Sequence, residues 1–204
     1  MKITDKISSL RKLMLENNID AYIIPSTDPH ISEYVAERWS SRAWISGFTG
    51  SAGTIVVTKD FAGLWTDSRY FLQAAEQLKG TGIELCKLGL PETLDYPEWL
   101  KENLANNSVV GFDGKVVTVN LAKNLQKQFE LKKIKINSDF DFINDIWTMR
   151  PAVPMNEIFE HKIEYAGKSR IEKLNEIRTK MSKLGADYHI LATLDDINWL
   201  FNIR

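Results

Sequence analysis

Between Asp5 and Asn17 the apolar positions Ile7, Leu10, Leu13 and Met14 recur at helical spacing, which predicts a helix with one buried stripe. Asn17 and Asn18 suit its left-handed exit, since asparagine tolerates that backbone conformation. Ala21-Tyr22-Ile23-Ile24 then reads as a short strand stopped by Pro25, which cannot donate to a ladder. Thr54–Thr58 and Ala62–Thr66 are two further strands, close enough to form a hairpin. The pattern continues with a helix over Tyr70–Leu78, a strand over Ile83–Leu88 and a helix over Glu92–Leu104 with Leu94, Trp99 and Leu100 inward. A strand over Val109–Phe112, a helix over Val119–Phe129 and a strand over Ile134–Asn137 follow. Strands and helices alternating in this way predict a layered α/β domain, and the hairpin makes its sheet mixed.

From Arg150 to Glu164 the periodicity lapses, and Pro151 and Pro154 impose extended backbone. Beyond it Ile171, Leu174, Ile177, Met181 and Leu184 recur at three and four, predicting an amphipathic helix over Lys168–Leu184 with Gly185 as its left-handed stop. Tyr188–Thr193 reads as a strand, and a helix begins over Asp195–Phe201. This helix, turn and strand repeat the opening of the chain, with Asp187–Thr193 in the place of Ala21–Thr27. One strand cannot close a core, so the second unit is expected to be incomplete. The expected organisation is residues 1–150 as one α/β domain, 151–165 as linker and 166–204 as the beginning of a second domain of the same type.

Composition adds mainly exclusions. Of 204 residues, 44% are hydrophobic and 26% charged, enough apolar matter for a packed core. Basic and acidic residues number 26 and 27 and are well mixed, which argues against a nucleic-acid or anionic-membrane partner. Lys132, Lys133 and Lys135 form the densest basic cluster and read as a solvated strand edge. Cys86 is the sole cysteine; its neighbours Leu85 and Leu88 suggest a buried thiol. The N-terminus has no apolar signal-peptide core, and no stretch reaches the ~18 apolar residues of a membrane span, so a cytoplasmic protein is expected.

Candidate chemistry is sparse. Gly47, Gly50 and Gly53 are spaced G-x-x-G-x-x-G and lead into the strand at Thr54, whereas a phosphate loop leads into a helix whose amides face the anion. A tight connection packed against a neighbouring strand fits better. No G-x-S-x-G elbow exists, His30, His161 and His189 lie far apart, and there is no H-E-x-x-H or cysteine pair. Asp28, His30 and Glu33 read as loop-capping groups. Trp65-Thr66-Asp67-Ser68-Arg69-Tyr70 sits at a strand end, where α/β sheets tend to bind ligands. Asp67 can cap the helix beginning near Tyr70, and on chemistry alone Asp67 and Arg69 form a surface pair.

Five segments together resemble the three-domain cytosolic aminopeptidase P (Xaa-Pro aminopeptidase) family: Pro25–Tyr34, Ser46–Gly53, Trp65–Ala74, Asp145–Pro151 and Leu194–Arg204. Ser68 departs from the glycine usual there. The resemblance implies a creatinase-type N-terminal domain with a six-stranded mixed sheet between helices, followed by an incomplete second copy. It implies a parent enzyme that removes the N-terminal residue from peptides with proline second. That enzyme would be a homodimer using two Mn²⁺ ions bound by a domain absent from this sequence. In this chain it assigns no catalytic residue and no metal ligand. It assigns one substrate-binding residue, Arg69, reaching toward peptide bound in the third domain. The alternative is a non-catalytic peptide- or histone-binding module of the same fold; creatinase and prolidase lack the second domain.

Overall fold

The computed structural model describes residues 1–204. They form two compact units, one of Met1–Pro29 with Val35–Ala152 and one of His30–Tyr34 with Val153–Arg204.

The first unit is a mixed six-stranded sheet between two layers of helices. Its strands are β1 (Ala21–Ile24), β2 (Thr54–Thr58), β3 (Ala62–Thr66), β4 (Glu84–Lys87), β5 (Val109–Gly111) and β6 (Lys135–Asn137), in the order β4-β3-β2-β1-β5-β6. β1–β2 and β2–β3 are antiparallel; β3–β4, β1–β5 and β5–β6 are parallel. The central strands are buried on both faces, and successive side chains divide between two cores. Tyr22, Ile24, Ile55, Val57 and Leu64 join Ile7, Leu10 and Met14 of α1 (Ile3–Glu16), Ile45 of α2 (Ser41–Ser46) and Ala74 of α3 (Phe71–Gln77). Ala21, Ile23, Val56 and Trp65 join Leu100 of α4 (Tyr96–Asn103) and Leu125 and Phe129 of α5 (Val119–Phe129) on the other face.

Helix starts follow their caps. The Asp95 carboxylate accepts from Glu98 N–H, and Pro97 sits within the first turn, so α4 begins at Tyr96 rather than at Glu92. The Thr118 hydroxyl accepts from Leu121 N–H and starts α5. α6 (Phe142–Ile146) is capped by Asp141. It closes the layer under α1, where the buried Tyr22 hydroxyl donates to Phe140 O at 2.6 Å and accepts from Phe142 N–H at 3.3 Å. Trp147 stacks on Trp44 with centroids 5.0 Å apart, and Arg150 reaches Asp141 at 2.6 Å and Arg38 O at 2.9 Å.

The second unit holds α7 (Ile163–Ala166), α8 (Arg170–Leu184) and α9 (Leu194–Phe201), with one isolated bridge between Glu160 and Ile203. Ser169 and Glu172 form a reciprocal capping box at the start of α8. Lys173 is buried and donates to Trp199 O at 2.7 Å and Asn202 Oδ1 at 2.6 Å, tying α8 to the end of α9. The strand expected over Tyr188–Thr193 is not formed; Tyr188 and Ile190 are each 89% exposed. A strand exists by pairing, and no other segment supplies ladder bonds to this one. The apolar stripe of α8 is likewise only partly covered, with Ile171 and Leu184 exposed.

Candidate functional site

β3 ends at Thr66, whose hydroxyl donates to Ala52 O at 2.7 Å. The chain then turns through a 3₁₀ segment, Ser68–Tyr70, into α3. Asp67 caps this turn by accepting from Arg69 N–H at 3.1 Å. Ser68 needs no left-handed backbone there, so the serine fits where the resemblance expects glycine. The Arg69 side chain folds back on the same carboxylate: Nε donates to Oδ1 and Nη2 to Oδ2, each at 2.8 Å. Its guanidinium carbon lies 5.2 Å from the centre of the Tyr70 ring. Two of the five guanidinium donors are thus engaged and the side chain is 67% exposed, leaving three donors for a ligand.

Hydrogen bonding from Arg69 holds the Asp67 carboxyl down at about 2. Arg69 is exposed and Asp67 partly so, and the pair therefore contributes little to stability; its effect is on geometry. The sign follows from the depressed folded value. The interaction is fully present above the ordinary carboxylate range, roughly pH 4, and is lost as pH falls through about 2. A carbon-detected titration of Asp67 should therefore show ionisation down to about pH 2, and Arg69→Ala should return it toward about 4. Wild-type titration near the ordinary value would mean that the pair does not persist in solution.

The glycine-rich loop lies against this turn. Ser51 and Tyr70 share a hydroxyl–hydroxyl hydrogen bond of 2.6 Å, which lowers the Tyr70 phenol from its usual range. Thr49 N–H donates to Gln77 Oε1 at 3.0 Å, and the Thr49 hydroxyl accepts from Gln73 at 3.0 Å and Gln77 at 2.9 Å. Phe48 meets Tyr70 edge to face at 5.9 Å. Gly50 sits between them, where a Cβ would lie 2.3 Å from Phe48 Cζ and 2.7 Å from Tyr70 Cδ1. Gly47 has φ +76° and ends α2 in the left-handed region. The loop leads into β2 and packs on β3, as its spacing predicts.

The sequence placed Asp67 and Arg69 together but missed Arg42, the group beneath the loop. Arg42 is 6% exposed. It donates from Nε to Ser26 Oγ at 2.6 Å, from Nη1 to Phe48 O at 2.7 Å and from Nη2 to Gly50 O. Burial pulls its guanidinium down to about 10, still protonated at neutral pH. Its spacing with Ile45 and Ser46, three and four residues on, is the only signal that it faces inward. Elsewhere, burial pushes the half-buried Cys86 thiol up to about 12, so it is no thiolate nucleophile at neutral pH. No three His, Cys, Asp or Glu side chains are grouped so as to hold a metal ion. No helix is long and apolar enough to cross a membrane.

Two family models match, each described as a creatinase/prolidase N-terminal domain, over residues 6–144 and 149–204. A probable Xaa-Pro aminopeptidase P from Talaromyces stipitatus is 41% identical over 203 residues, 98% of this chain and 31% of that protein. Aminopeptidase P2 of Arabidopsis thaliana is 41% identical over 207 residues, 99% of this chain and 29% of that one. The chain thus spans under a third of the length of these curated relatives. An X-prolyl aminopeptidase from Caenorhabditis elegans, described as a cytosolic enzyme with a di-nuclear active site, superposes with a TM-score of 0.89 at 32% identity. It covers all of this chain and 35% of its own. With family models matched over residues 6–144 and 149–204, the chain belongs to the creatinase/prolidase N-terminal domain family.

Proposed function

We propose that this chain is the N-terminal, non-catalytic region of a metal-dependent Xaa-Pro aminopeptidase, which removes the N-terminal residue from peptides carrying proline second. The supporting observation is a likeness that extends over both units to proteins bearing that name. A di-nuclear centre does not fit the residues present, since no donor set for even one ion is assembled here. On this reading two divalent ions, manganese by resemblance, belong to a catalytic domain outside this sequence. The chain supplies domain packing, part of a homodimer of a cytosolic enzyme, and one group that touches substrate, Arg69. An exposed guanidinium, oriented by Asp67 and keeping spare donors, suits a peptide carbonyl or carboxylate, and its charge does not vary with pH.

Purified residues 1–204 with added Mn²⁺ should leave an X-Pro peptide intact, while the full-length parent cleaves it and spares the X-Ala analogue. Metal-dependent turnover by the chain alone, or a parent inert toward X-Pro peptides, would sink the reading.

A further inference from the structure

Arg42 is a buried cation whose side-chain donors go to neutral oxygens, one hydroxyl and two carbonyls. Such a group is costly unless its donors are well satisfied, and here they are satisfied by one loop and the serine that grips it. The Ser26 hydroxyl that accepts from Arg42 donates in turn to Gly53 O at 2.5 Å. Arg42 and Ser26 therefore hold the loop by three main-chain carbonyls, those of Phe48, Gly50 and Gly53. The other side of the loop contacts the segment carrying Arg69: Ala52 O at Thr66, Ser51 at Tyr70, and Thr49 at Gln73 and Gln77. The ring of Phe48, edge to face with the Tyr70 ring, also lies 4.9 Å from the Arg42 guanidinium.

We propose that Arg42 is a positioning residue: through the Phe48–Gly53 loop it fixes Tyr70 and the turn at Asp67, and so aims Arg69 at the substrate. This rests on the reading of Arg69 as a substrate contact. Arg69 has no packing of its own beyond Asp67 and the Tyr70 ring, so its aim is set by how firmly that turn is held. A lysine at position 42 keeps the charge but has no planar fork to span Ser26 and two carbonyls at once.

The test is a double-mutant cycle in the full-length enzyme on an X-Pro peptide. Arg42→Lys should lower kcat/KM by about tenfold in the wild-type background and leave it unchanged in Arg69→Ala, because the effect passes through Arg69. A loss that persists at full size without Arg69 overturns the proposal. A second readout does not depend on activity. In residues 1–204 with labelled tyrosine, Arg42→Lys and the milder Ser26→Ala should each return Tyr70 from its lowered value toward about 10, as the Ser51 bond loosens. A Tyr70 titration identical to wild type in both variants overturns the linkage. Should Arg69→Ala itself show wild-type kinetics, the substrate contact fails, and the tyrosine titration alone then upholds or overturns the hold of Arg42 on the turn.

Discussion

On the proposed function, replacing Arg69 by alanine in the full-length parent is expected to lower kcat/KM on X-Pro peptides by about ten- to a hundredfold with folding intact. The side chain is mostly exposed and bonds only to Asp67, so its removal opens no cavity and strands no buried acceptor. Whatever is lost is lost from an interaction made outside this unit. Lysine should recover only part of the rate, because an ammonium cannot keep Asp67 on two parallel bonds while presenting donors to a peptide. The comparison with Asp67→Ala is informative. That variant leaves the guanidinium charged but unaimed, so it should fall between wild type and Arg69→Ala. Unchanged kinetics for Arg69→Ala, with metal content equal to wild type, would reduce the pair to a surface ornament.

The largest loss of stability is expected at Trp65, four residues before Arg69. The side chain is 1% exposed, and its ring meets Phe61, Trp99 and Tyr96 with centroids 6.0, 5.5 and 6.4 Å away. Its indole N–H donates to Leu94 O at 2.9 Å, in the extended segment before α4. Trp65→Ala removes the centre of this cluster and leaves that carbonyl without its donor, for a loss of about 3–5 kcal/mol by denaturant unfolding. Trp65→Phe keeps much of the packing but not the bond, and should lose less than half as much. An alanine variant with the wild-type midpoint would show that the cluster repacks around the gap.

What the sequence made legible, and what it hid, divides along physical lines. β2 and β3 were readable because two apolar runs flank a polar turn, and α5 because eleven residues give periodicity room to emerge. α2 and α6 are six and five residues long, under two turns, and leave no period to detect. Tyr188–Thr193 carries a strand's composition without a strand's neighbours, and composition alone does not make a ladder. In the site, Asp67 and Arg69 are neighbours in sequence and could be paired on paper. Arg42, Ser26 and Tyr70 are brought together only by folding, and an arginine is counted as surface until three acceptors are seen around it.

The Tyr22 hydroxyl bears on how the first unit comes into being at the ribosome. β1 can pair with β2, and β2 with β3, once about the first third of the chain has been made, since all three lie between Ala21 and Thr66. Yet the hydroxyl of Tyr22 in β1 finds its partners only at Phe140 and Phe142, 118 and 120 residues later. Until those residues emerge, the Tyr22 hydroxyl has only water to bond and α1 has one flank uncovered. The residues that complete the first unit are therefore almost the last of it to be synthesised, and closure of one unit coincides with the start of the next.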